Sequence, residues 1–236
     1  MRKLNHRNAV VLFSGGQDSS IALGWALDRF DRVETLGFNY GQRHNLELKA
    51  RDAIRKAIAE RMPEWGSRLR DDTVLNAGVL SALGETAMTH SVAIEMNADG
   101  LPTTFVPGRN LMFMVLAGAF AYRRNAGVIV GGMCQTDYSG YPDCREDTLH
   151  RQTDALRLGL NANIGFAAPL MHYTKGESWR IAERVGGDEF VKIVNELSHT
   201  CYNNVRDTRH DWGYGCGECP ACKLRKKGWA EYQAMA

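Results

Sequence analysis

Ala9-Val10-Val11-Leu12-Phe13-Ser14-Gly15-Gly16-Gln17-Asp18-Ser19-Ser20-Ile21-Ala22-Leu23-Gly24-Trp25-Ala26-Leu27 decides the fold. A β-rich apolar run, a small polar turn with two glycines, and an alanine-containing stretch carrying Ile21, Leu23, Trp25 and Leu27 read as strand, loop and helix. Such a loop suits phosphate. Its glycines let the backbone turn tightly and approach a ligand, its N–H groups form a concave nest, and the helix behind it turns its positive end toward an anion. A bound pyrophosphate is the expectation.

The loop fits neither Gly-x-x-x-x-Gly-Lys-Ser/Thr nor Gly-x-Gly-x-x-Gly. Ser14-Gly15-Gly16-Gln17-Asp18-Ser19 instead resembles the Ser-Gly-Gly-x-Asp-Ser signature of the PP-loop ATP pyrophosphatases. That resemblance implies cleavage of ATP between its α and β phosphates, with AMP left on an acceptor until a nucleophile displaces it. A plain Gly-Gly turn is the bland alternative, and six specified positions between a strand and a helix weigh against it.

Working outward, 236 residues fit one domain with a small appendage. Lys plus Arg is 29 and Asp plus Glu is 27, a net charge of +2, which gives no global argument for a nucleic-acid or acidic-membrane partner. No apolar run is long enough to span a bilayer, and the basic Met1 to Arg7 leads into a strand too short for a signal-peptide core. A cytoplasmic location follows as the expectation. The six cysteines would then be reduced, which directs attention to metal or catalysis.

A second strand is expected over 33–40 and a helix over 46–59, with Tyr40-Gly41-Gln42-Arg43-His44 between them at the carboxyl end of the strand, where open α/β sheets bind ligands. Arg43 there can clamp a phosphate, and His44 reads as a loop histidine. Residues 70–75 read as a third strand; 76–99 show no clear pattern. A loop over 100–110 delivers the chain into an apolar helix over 111–122, hydrophobic almost all round and therefore expected to be buried. Arg109, a cation at a helix start, is assigned to ATP phosphates. After a buried strand at 127–132, residues 133–145 are dense in hydrogen-bonding groups and lead into a helix over 146–158. Aromatic rings with a few aimed polar groups suit a flat heterocycle. Asp137 or Asp143 can receive an amino or ring N–H, and Arg145 can pair with a substrate carboxylate. Cys134 and Cys144 read as structural. A short strand is expected within 164–170. Thr174 and Glu177 form a capping-box pair ahead of a helix over 178–185.

The ordered set of the PP-loop, Tyr40 to His44, Phe105-Val106-Pro107-Gly108-Arg109-Asn110, Asp137-Tyr138-Ser139-Gly140-Tyr141-Pro142-Asp143-Cys144-Arg145 and a cysteine-rich tail resembles the 7-cyano-7-deazaguanine synthase family over essentially the whole chain. The implied fold is α/β, an open mostly parallel sheet with helices on both faces, of the adenine nucleotide α-hydrolase-like kind, plus a C-terminal zinc-binding helical element. The expected division is 1–198 for the ATP and substrate domain and 199–236 for the metal element. ATP is expected on Phe13, Ser14, Gly15, Gly16, Gln17, Asp18, Ser19 and Ser20. Asp18, Arg43, Arg109 and Lys175 are the catalytic set, Lys175 on the strength of the resemblance, with Asp18 helping to hold Mg²⁺. The substrate, 7-carboxy-7-deazaguanine, is assigned to Asp137, Tyr138, Ser139, Tyr141, Asp143 and Arg145.

Cys201, Cys216, Cys219 and Cys222 supply four thiolates, the number and softness that tetrahedral Zn²⁺ prefers. A closed tetrathiolate site is structural, and it would fasten a helix over 221–235 to the body. Lys223, Arg225, Lys226 and Lys227 are placed to offset its charge. A redox pair and an iron–sulfur cluster are the alternatives. The interval from Cys201 to Cys216 is longer than the family pattern, as an inserted loop would make it.

The mechanism implied by the resemblance adenylates the substrate carboxylate and displaces AMP with ammonia. A second ATP then activates the amide, and loss of AMP leaves the nitrile. No segment reads as a glutaminase, so ammonia comes from solution or another protein. No direct nucleic-acid partner is expected; a homodimer is. The rivals are a PP-loop tRNA thiolation enzyme and a non-catalytic zinc-containing module that senses nucleotide.

Overall fold

Short apolar runs alternate with amphipathic stretches along the chain, and this pattern builds parallel strands joined by helical crossovers. A computed structural model describes residues 1–41, 46–82, 86, 95–96, 100–135 and 141–235. In chain order these form β1 (Asn5–Leu12), α1 (Gln17–Arg29), β2 (Arg32–Asn39), α2 (Leu46–Arg61), α3 (Pro63–Arg68), β3 (Leu69–Asn76), α4 (Val79–Ala82), α5 (Arg109–Arg124) and β4 (Ala126–Val130). A 3₁₀ turn (Pro142–Cys144), α6 (Glu146–Gly159), β5 (Gly165–Ala167), α7 (Lys175–Leu197), the hairpin β6 (Arg209–His210) and β7 (Gly213–Tyr214), and α8 (Pro220–Ala234) follow.

The main sheet runs β3-β2-β1-β4-β5, and every neighbouring pair is parallel. The chain leaves β1 toward β2 and β3, then returns to the other side of β1 for β4 and β5. The gap between β1 and β4 is therefore the topological switch point, where ligands bind beyond the carboxyl ends of strands. Alternate residues of β1 serve opposite faces of the sheet. Ala9 and Val11, followed by Phe13, pack with α1, α2 and α7; Val10 and Leu12, with Leu36 and Phe38 of β2, pack with α5 and α6. Burial on both faces explains why the central strands β1, from Ala9 on, and β4 read as continuous apolar runs.

Two helices depart from the sequence expectation. α5 buries only a stripe containing Met114, Ala117, Gly118 and Ala121, and leaves Val115 48% exposed, because the sheet lies on one side of it alone. α7 continues to Leu197, well past Val185. Gly187 takes a non-helical conformation that kinks the helix, and beyond the kink Phe190 packs edge-on against Trp65 at 4.9 Å. That contact and the burial of Val191, Ile193 and Val194 carry the second half, which the Gly186-Gly187 pair had disguised as a terminus.

The tail forms a small core of its own from Cys201, Trp212, Cys219 and Cys222. The long interval between Cys201 and Cys216 holds the β6–β7 hairpin. α8 lies along α7, with Trp229 edge-on to Trp179 at 5.0 Å. The two helices come close at Gly228, where a Cβ would stand 2.3 Å from the Cβ of Lys175. Only glycine permits that approach.

Candidate functional site

The turn after β1 is built by its own serines. Ser19 Oγ accepts from the backbone N–H groups of Ser14 and Gly15 at 3.2 and 3.3 Å, and Ser20 Oγ donates to Gly16 O at 2.7 Å. Gly15 has φ +92, and a Cβ there would lie 2.3 Å from the carbonyl oxygen of Glu47, so the loop is pressed against the start of α2. α1 begins at Gln17 with Gly16 as N-cap and no side-chain cap, leaving first-turn N–H groups to the space above the switch point.

That space is a cavity of about 920 Å³. Phe13, Ser14, Gly16, Gln17, Asp18 and Ser19 line it, whereas Gly15 and Ser20 stand behind the loop and shape it. Gln17 also reaches Ser178 Oγ of α7 at 3.3 Å. The capping box of Thr174 and Glu177 is present at the start of α7 and sets the first residue, Lys175, in the cavity wall. Lys175 Nζ stands 2.5 Å from Asp18 Oδ2. Asp18 Oδ1 is buried and has no hydrogen-bond partner among the described residues, so its spare acceptor fits a cation.

Opposite the loop the walls are aromatic: Tyr40, Phe113, Tyr141 and Tyr202. Phe113 stacks on Phe38 at 4.0 Å, and Tyr141 shares a 2.6 Å hydrogen bond with Thr104 Oγ1. Arg109 sits between rings, its guanidinium carbon 5.8 Å from the Tyr40 centroid and 5.7 Å from that of Tyr141. Burial opposes the charge on Arg109, but Tyr40 and Tyr141, then Asp143 and Cys144, hold its pKa above the ordinary value. Burial raises the pKa of Tyr202 and of Tyr40, so both remain neutral hydrogen-bonding groups. Glu47, on the first turn of α2, lines the same chamber, and burial raises its carboxyl to about 7 against the pull of Arg109.

The assigned substrate residues separate. Tyr141 is in the wall. Asp143 is buried, with Oδ2 accepting the backbone N–H of Asn110 at 2.9 Å, so it serves the open end of α5. Arg145 is exposed at the N-cap of α6 and is not among the described residues of the cavity wall. Arg43, His44, Asp137, Tyr138 and Ser139 lie outside the described residues. Sequence reasoning missed Glu47, Tyr202 and the wall given by α8, where Pro220, Lys223 and Lys227 face the cavity. The position of Tyr202 beside Cys201 was the available signal, since a fixed ligand fixes its neighbour.

The ligand atoms of Cys201, Cys216, Cys219 and Cys222 all lie within 4.8 Å of one another, and the Cys216 and Cys222 sulfurs are 3.9 Å apart. A tetrahedral ion with Zn–S bonds of about 2.3 Å needs sulfurs about 3.8 Å apart. Backbone N–H groups of Cys216, Cys219 and Cys222 point at the sulfurs of Cys201, Cys216 and Cys219 at 3.4, 3.3 and 3.5 Å, as thiolates require. Hydrogen bonding from Cys222 lowers the Cys219 thiol to about 5. The donor set fits a soft metal ion. Arg225 is the buried cation of this region. It donates to Trp212 O, Ser198 Oγ and Asn195 O at 2.8, 2.9 and 3.0 Å, whereas Lys223, Lys226 and Lys227 are exposed.

No helix among the described residues is long and apolar enough to cross a membrane. A 4-thiouridine synthetase, solved in complex with RNA and ATP, shares the fold with a TM-score of 0.51 and 21% identity, over 79% of this chain and 42% of that one. The model of the queuosine biosynthesis protein QueC matches residues 8–233. The 7-cyano-7-deazaguanine synthase of Hyphomonas neptunium is 60% identical over 226 residues, 96% of this chain and 95% of that protein. Those of Paraburkholderia phytofirmans and Bordetella pertussis are each 55% identical, covering 98% of this chain and 95% and 96% of theirs. The chain belongs to the QueC family of queuosine biosynthesis proteins.

Proposed function

We propose that the protein is an ATP-dependent carbon–nitrogen ligase that converts 7-carboxy-7-deazaguanine and ammonia to 7-cyano-7-deazaguanine, releasing AMP and pyrophosphate. The relatives that match nearly the whole chain are named 7-cyano-7-deazaguanine synthases, which supports the product. The observation that carries the reading within the structure is the joining of the Ser14 to Ser19 nest and the aromatic chamber around Arg109 in one cavity at the switch point. A flat heterocycle held among Tyr40, Phe113, Tyr141 and Tyr202 would present its carboxylate toward the α phosphorus of an ATP whose pyrophosphate end rests on the loop.

This chain's residues would then divide the work. The nest and the open first turn of α1 take the pyrophosphate, and Lys175 and Arg109 neutralise the charge that builds as it leaves. Arg43, Asp137, Tyr138 and Ser139 belong to the same proposal through the family resemblance. Asp18 would hold Mg²⁺, which supplies charge neutralisation on the phosphates when bound. The thiolates would hold a structural Zn²⁺, which leaves no position open to water. We read 1–198 as the catalytic body and 199–236 as a metal element that closes the cavity, in a cytoplasmic homodimer without a direct nucleic-acid partner.

Exchange of labelled pyrophosphate into ATP tests the reading: it should require the deazapurine acid and Mg²⁺ but not ammonia. Exchange indifferent to the acid would contradict it. A PP-loop tRNA thiolation enzyme, the nearer rival, requires tRNA and sulfur instead, and iron–sulfur members are coloured. A nucleotide-sensing module would show no exchange.

A further inference from the structure

Amidation leaves a proton to be removed. When ammonia attacks the acyl adenylate, a C–N bond forms and the C–O bond to AMP breaks, AMP departs with the electron pair, and the new nitrogen must shed a proton. A base within reach of the acyl carbon is needed for this, and the acyl carbon stands one oxygen from the α phosphorus, beside the PP-loop.

The cavity offers few bases. Among its described wall residues there is no histidine, and its carboxylates are Asp18, Glu47 and Glu95. Asp18 is paired with Lys175 at 2.5 Å, and Glu95 is exposed at the rim. Asp143, nearby, is turned to the Asn110 amide. Glu47 remains. Its main chain abuts Gly15 of the loop, and its side chain enters the chamber that holds Arg109. It therefore stands at the seam between the two halves of the site.

We propose that the Glu47 carboxylate accepts the proton that the attacking ammonia nitrogen releases as the C–N bond forms. The proton then passes to solvent through the open cavity. This step rests on the ligase reading above. Among the described residues, the charged and titratable groups that face Glu47 are Arg109 from α5, Tyr40 after β2 and Tyr202 from the tail. Burial against the pull of Arg109 sets its carboxyl at about 7, where a base is both ionised and able to hold a proton.

The test separates the two half-reactions in the metal-loaded protein with 7-carboxy-7-deazaguanine, ATP, Mg²⁺ and ammonium chloride. Glu47→Gln should keep acid-dependent pyrophosphate exchange within about threefold, while amide formation falls by about 10²-fold or more. Hydroxylamine, whose far less basic nitrogen gives up its proton more readily once it has attacked, should depend less on the base and lose less in the variant than ammonia does, read as the hydroxamate. At fixed free ammonia the wild-type amidation rate should rise with pH through about 7, and the variant should lose that limb. Glu47→Asp should retain the limb with a reduced rate, which guards against a folding defect in the first variant. Equal loss of exchange and amidation would make Glu47 a positioning residue for Arg109 and overturn the proposal, as would undiminished amidation. A wild-type protein without exchange contradicts the ligase reading itself, and the Glu47 step falls with it.

Discussion

Lys175 Nζ lies 2.5 Å from Asp18 Oδ2, a contact that ties the first turn of α7 to the first turn of α1 across 157 residues of sequence. The pair is partly buried, with side chains 10% and 26% exposed, and it stands beside the Ser14 to Ser19 turn with the second Asp18 oxygen unpartnered among the described residues. In the proposed mechanism this pair would separate when ATP arrives, the lysine turning to phosphate and the carboxylate to a metal ion. Asp18→Ala is expected to abolish AMP formation with the fold intact, and Lys175→Ala to lower acid-dependent pyrophosphate exchange by about 10²- to 10³-fold. Normal turnover of either variant, measured as AMP release, would remove the pair from the mechanism.

Removal of the metal should loosen the catalytic cavity as well as the tail. Cys219 caps, and Cys222 lies in the first turn of, the helix whose Gly228 rests on Lys175, so α8 links the cysteine cluster to the loop after β1. Elemental analysis should find one metal ion per chain. Strong chelation, or Cys222→Ala, should lower the melting temperature by about 10 °C or more and abolish exchange. A metal-free protein with an unchanged melting curve would separate the tail from the site.

Arg225 should matter more to stability than any lysine of α8. It is 1% exposed, and burial lowers its pKa to about 10, yet its guanidinium is satisfied by main-chain oxygens and Ser198 Oγ. Arg225→Met strands those acceptors and should cost about 3–5 kcal/mol by denaturant titration. Lys226→Ala, on the exposed side, should change stability by less than about 0.5 kcal/mol.

The raised carboxyl of Glu47 also has a consequence for folding. Its pKa in the folded protein, about 7, lies above the ordinary 4.5. Its contribution is therefore fully present below the unfolded value and is lost as pH rises through the folded one. Glu47→Gln removes that slope. Melting temperatures of variant and wild type should agree near pH 4, below the unfolded value, and the variant should melt a few degrees higher near pH 8. The reverse order would mean that the carboxylate is stabilised in place.

The parts of the molecule legible in the sequence are those that a short window contains. Ala9 to Leu27 announced strand, nest and helix because its apolar run, glycines, serines and periodicity are adjacent, and Thr174 with Glu177 announced a helix start for the same reason. Cysteine spacing located the thiolate cluster, whose sulfurs do converge. Contacts made across the fold were hidden. A cation in a first helical turn opposes the helix dipole, and only the fold supplies the partners: α1 brings Asp18 to Lys175, and Tyr40, Tyr141 and the Asp143 carboxylate surround Arg109. Arg225 reads like its lysine neighbours in sequence, and only the packing of α7 against α8 buries it. Glu47 carries no local signal at all, since one acidic residue in the first turn of a helix is ordinary.

The most direct test of the ligase account is mass spectrometry of the products formed from 7-carboxy-7-deazaguanine, ATP, Mg²⁺ and ammonium chloride. The expected result is the nitrile, with two AMP and two pyrophosphate per molecule formed and the amide as a passing intermediate. Acid recovered unchanged while the folded, metal-loaded protein is present would contradict the account.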